Sequence, residues 1–147
     1  MIIDTTYLLP LARIGVRTDL LRAVVEGNAR GIRLEELKVS LISIFELQAK
    51  AAKLGIPPGD TARAVSVILR SFRVIPFYHG DIIKIAHELR ETLNDYIDCV
   101  IVATAAAVRE DLVTEDSNIH AHREEIEESY NIRIISYRDI VNAGANT

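Results

Sequence analysis

The chain has 147 residues, 49% hydrophobic and 26% charged, which suits one globular domain with a real core. A net charge of −4 excludes a broad basic nucleic-acid surface, leaving only a local basic rim for such a partner. The lone cysteine, Cys99, excludes an internal disulfide framework and suits a cytoplasmic setting. No apolar run approaches the ~18–20 residues needed to cross a bilayer, and MIIDTTYLL lacks the basic leader of a signal peptide.

In chain order, Met1–Asp4 predicts a strand ending in an acid. Thr5–Gly15 predicts a helix with a kink at Pro10, and Asp19–Asn28 a second helix capped by Asp19. Leu37–Ile42 reads as a strand and Ser43–Leu54 as a helix stopped by Gly55 and the Pro57-Pro58 pair. Helix Asp60–Phe72, strand Arg73–Phe77 and helices Asp81–Leu93 and Asp95–Arg109 follow. Strand Leu112–Glu115, a polar helix Ser117–Ser129, strand Ile132–Ser136 and a helix Ser136–Ala143 complete the pattern, with a frayed GANT tail. Strands alternating with helices predict a mostly parallel sheet covered on both faces.

Four acids fall where such a sheet binds its ligands, outside the carboxyl ends of the strands. Asp4 ends MIID and Asp116 ends LVTED; Glu46 and Asp98 fall near helix starts, which lie at the same edge. Each also has a local reading. Asp4 and Asp116 can cap helices, and Ser43-Ile-Phe-Glu46 fits a capping box. Asp98 is harder to explain locally, because Asp95 is the better cap and Asp98 then sits one turn inside an apolar helix. Gathered carboxylates raise one another's pKa, and a hard cation such as Mg²⁺ or Mn²⁺ relieves that repulsion. Such a site activates water for phosphoryl chemistry.

These segments resemble the PIN domain family, specifically its VapC-type toxin ribonucleases. MIIDTTYLLPL resembles the family's opening strand, Asp and helix; SLISIFELQAKAAKLG resembles its Glu-bearing second element. DCVIVATAAA and LVTEDSNI resemble its third and fourth motifs. The resemblance spans nearly all of residues 1–147. It implies a three-layer α/β/α sandwich and a Mg²⁺- or Mn²⁺-dependent ribonuclease that leaves a 5′-phosphate. Asp4, Asp98 and Asp116 would hold the metal, Glu46 would complete the catalytic set, and Thr114 would support it. A homodimer and a small antitoxin partner are implied as well. The sequence departs from the family at Glu115, where basic residues are common. A silent PIN-like binding module is the competing expectation. Outside the acids, Cys99 reads as core, and His120 and His122 read as surface. Arg13, Arg17, Arg22, Lys50 and Lys53 are candidates for a phosphate rim.

Overall fold

The computed structural model describes residues 1–141. Five short strands form one parallel sheet: β1 (Ile2–Ile3), β2 (Lys38–Ser40), β3 (Arg73–Ile75), β4 (Leu112–Val113) and β5 (Ile134–Ile135). Their order is β3-β2-β1-β4-β5. The chain builds outward from β1 to β3, then returns to place β4 on the other side of β1. The switch in direction therefore lies between β1 and β4, where a parallel sheet opens a crevice beyond its strand ends.

Alternation along the strands splits the core into two layers. Ile2 and Leu112 face one cluster, with α4 (Gly80–Leu89), α5 (Tyr96–Val108), and Ile119 and Ile126 from the helices after β4. Ile3 and Val113 face the other, with α1 (Leu20–Val25), α2 (Leu41–Lys53) and α3 (Pro58–Ser71). The result is the expected three-layer sandwich. Helix α5 is buried from Cys99 to Ala106, being sandwiched between sheet and α4. That burial explains its all-round apolar sequence and confirms Cys99 as core.

Several boundaries differ from expectation. Thr5–Ala12 forms a tight 3₁₀ helix rather than an α-helix, with Pro10 inside it. Proline has no N–H to give an i−4 carbonyl, which disfavours regular α geometry there. Strand β2 stops at Ser40, whose hydroxyl accepts from the Ile42 N–H at 3.3 Å and starts α2 at Leu41, two residues before the expected Ser43. The Ser43–Glu46 capping box is therefore absent: Ser43 is an interior helical residue and Glu46 lies in the second turn. The polar helix after β4 is two helices, α6 (Ser117–Ala121) and α7 (Arg123–Tyr130), hinged at His122. A final turn, α8 (Tyr137–Ile140), follows β5. The tail and the last two residues of the helix expected over 136–143 lie outside the described residues.

Candidate metal centre

Asp4 leaves β1 at the switch point and is only 7% exposed. Its Oδ1 accepts from the Thr5 N–H at 2.7 Å, which caps the 3₁₀ helix. Its Oδ2 accepts from the Thr114 hydroxyl at 2.6 Å. The capping role and the site role are thus carried by one carboxylate. Thr114 sits at the end of neighbouring β4 and also accepts from the Asp116 N–H at 3.1 Å. One hydroxyl links Asp4 to the loop that carries Asp116. Asp116 in turn caps α6, accepting from the Ile119 N–H at 2.9 Å.

Asp98 is half-buried in the first turn of α5, behind the Asp95 cap, which accepts from the N–H groups of Ile97 (2.8 Å) and Asp98 (3.4 Å). Its carboxyl is pushed up to about 7, chiefly by burial, then by the charges of Asp116, Asp95, Asp4 and Glu46. Burial also raises the Asp4 carboxyl; the Thr114 and Thr5 bonds oppose this, and the Glu46 and Asp116 charges add to it. The fold therefore gathers all four acids within electrostatic range of one another.

Among the described residues, no three His, Cys, Asp or Glu side chains form a ready-made metal cage. The donor set nevertheless fits a hard divalent cation. Mg²⁺ commonly takes one or two carboxylates and keeps several waters, so a full protein cage is not required. Two hydroxyls adjoining these acids are buried without a partner among the described residues: Thr5 Oγ1, next in chain to Asp4, and Ser43 Oγ, one turn before Glu46.

Two neighbours went unread in the sequence. Tyr7, fully buried, donates its hydroxyl to Glu115 Oε2 at 2.8 Å, and the Tyr137 N–H donates to the same oxygen at 2.9 Å. Burial and the Glu115 bond push the Tyr7 phenol up, so it stays protonated as a donor. The signal was available, since a tyrosine on the apolar face of the first helix needs a partner for its hydroxyl. His120 is not simple surface: its Nε2 lies 2.7 Å from the Thr114 carbonyl and must carry the proton. His122 pairs at the surface with Glu125 at 3.9 Å. Of the candidate rim, Arg13 pairs with Asp60 and Arg22 with Glu26.

A family model of the PIN domain matches residues 1–125. The chain belongs to the PIN domain family. Comparison with curated proteins gives no match. Among solved structures, this PIN domain is similar to a toxin-antitoxin complex from Klebsiella pneumoniae, at 24% identity over 80% of this chain and 88% of that one, with a TM-score of 0.59. It is also similar to FitAcB from Neisseria gonorrhoeae, at 17% identity over 95% and 99% of the two chains, TM-score 0.64. VapBC2 from Rickettsia felis, bound to a DNA fragment from its promoter, matches at 18% identity over 92% and 96%, TM-score 0.63. At these identities the likeness is one of fold. No helix among the described residues is long and apolar enough to cross a membrane.

Proposed function

We propose that this PIN domain is a metal-dependent endoribonuclease, acting as one domain and serving as the toxin of a toxin-antitoxin pair. The observation that carries the reading is the electrostatic coupling of Asp4, Glu46, Asp98 and Asp116 at the β1/β4 switch point. Asp4, Asp98 and Asp116 would hold Mg²⁺ or Mn²⁺; a divalent ion there supplies charge stabilisation at the phosphate and lowers the pKa of a bound water. Asp4 is the fixed ligand, because Thr114 and the Thr5 N–H hold both its oxygens. Asp98 is the ligand whose protonation gates binding. Glu46, on the second turn of α2, orients the attacking water, and Thr114 keeps Asp4 and the Asp116 loop in register. The substrate is RNA. An antitoxin partner and a homodimer complete the reading, supported by a fold shared with chains from toxin-antitoxin complexes.

The competing reading is a silent binding module, favoured by the lack of a ready three-ligand cage. One experiment separates them: incubation of a mixed single-stranded RNA pool with Mg²⁺, Mn²⁺ or EDTA, beside Asp98→Asn. Cleavage that needs both the metal and Asp98 is expected. A protein that neither cuts RNA nor gains thermal stability from either metal is the binding module.

A further inference from the structure

The residue between Thr114 and Asp116 is an acid, Glu115, which offers substrate phosphate no cation. Glu115 is exposed and keeps its charge, because only neutral donors hold it. Its Oε2 is turned away to the buried Tyr7 hydroxyl and the Tyr137 N–H. Beside it, a cleft of about 390 Å³ opens between the β4–α6 and β5–α8 connections. It lies outside the carboxyl ends of β4 and β5, next to Asp116, at the edge where parallel sheets bind ligands.

The cleft's other acid, Asp139, is also engaged: its Oδ2 accepts from the Ser136 N–H and hydroxyl, each at 2.9 Å. Those Ser136 bonds hold the Asp139 carboxyl low, and the charges of Arg123 and Arg138 add to the effect, so both guanidinium groups reach the cleft electrostatically. Arg123 shares its charge with Glu127 at 3.3 Å. Arg138 pairs with no carboxylate among the described residues. The Ser117 hydroxyl and the His120 ring line the same wall, and His120 Nε2 is tied to Thr114.

We infer that this cleft is a nucleic-acid phosphate subsite, in which Arg138, supported by Arg123 and the Ser117 hydroxyl, takes the backbone phosphate next to the one at the acid cluster. Guanidinium suits the task because its planar N–H fork matches two phosphate oxygens. The subsite deepens the nuclease reading and rests on it for the neighbouring scissile phosphate. It places substrate entry on the β5 side of the switch point.

The test uses a short fluorescent single-stranded RNA in EDTA, so that binding is read without cleavage, across a salt series. Arg138→Ala should weaken binding about five- to tenfold and flatten the log-log salt slope by about one, the signature of one lost phosphate contact. Arg138→Lys should recover part of the affinity, and Arg33→Ala, exposed on the turn before β2 and away from the strands' carboxyl ends, should change nothing. With metal restored, Arg138→Ala should raise KM and leave kcat near wild type. Unchanged affinity, slope and KM in Arg138→Ala, with wild-type cleavage intact, would overturn the subsite and leave the nuclease standing. A wild type that binds RNA through Arg138 but never cuts it retains the subsite and removes the nuclease reading. A wild type that binds no RNA in EDTA overturns the subsite.

Discussion

At the scale of single residues, Asp98 carries the most information. Its carboxyl is raised because it is half-buried and faces Asp116, Asp95, Asp4 and Glu46. Asp98→Asn keeps the shape and removes the charge. The metal-free variant should melt higher than wild type, by about 2–4 °C if about 1 kcal/mol of repulsion is relieved. The same variant should lose metal-dependent cleavage. A variant that cuts RNA at the wild-type rate would remove Asp98 from the site. Thr114→Val gives the opposite sign of stability change. It leaves the buried Asp4 without its 2.6 Å donor and the Asp116 N–H without its acceptor. A cost of about 1–3 kcal/mol is expected, because buried polar groups lose their partners. Urea unfolding of the metal-free protein reads it directly, and a loss near zero would show that Thr114 does not hold Asp4.

At the scale of elements, α5 depends on its cap. Asp95→Ala frees the Ile97 and Asp98 N–H groups and should cost about 0.5–2 kcal/mol in urea unfolding. It also removes one of the charges acting on Asp98, so the Asp98 carboxyl should titrate lower in a side-chain NMR titration. An unmoved Asp98 titration would mean that Asp95 serves the backbone alone. This cap was legible in the sequence, as were the element order, the parallel sheet and the buried α5, because apolar periodicity and an acid ahead of an apolar run are local signals. The start of α2 was not. Ser40 and Ser43 are both plausible caps, and only the end of β2 pairing at Ser40↔Ile75 decides between them. The bend at His122 was equally hidden, since Ile119 and Ile126 keep helical spacing through it while both reach the core. The same kind of gap concealed Tyr7–Glu115 and His120–Thr114, contacts made across the fold by residues whose local sequence says only "core" or "polar helix". The four acids were legible because all fall at one edge of an α/β pattern. The Thr114 bridge needed the β1–β4 pairing.

At the scale of the whole molecule, the gathered acids make stability depend on pH in an unusual direction. Asp98 has a folded value of about 7 against 3.8 for the free side chain, so between those values the folded protein holds a proton that the unfolded chain has released. Stability of the metal-free protein should therefore be fully supported near pH 4 and fall as pH rises to about 7, then level off. Asp4, also raised, acts in the same direction. Asp139, held low by its Ser136 bonds, and Glu110, held low by the Lys38 ammonium and the Met1 amino group, act oppositely: their contribution is lost as pH falls below their ordinary values of 3.8 and 4.5. Together these place the metal-free optimum on the acid side of neutrality. A divalent cation held by these acids should reverse the slope, because it would need the ionised carboxylates that repel one another in its absence. At about a hundredfold its Kd, the metal should add about 2.7 kcal/mol above pH 7, a rise of about 5–10 °C in Tm, and much less near pH 5. Melting curves from pH 4 to 8, with Mg²⁺, Mn²⁺ or EDTA, would show the two sets converging in acid and separating above neutrality. A metal effect of equal size at every pH would mean that the ion binds somewhere other than Asp4, Asp98 and Asp116.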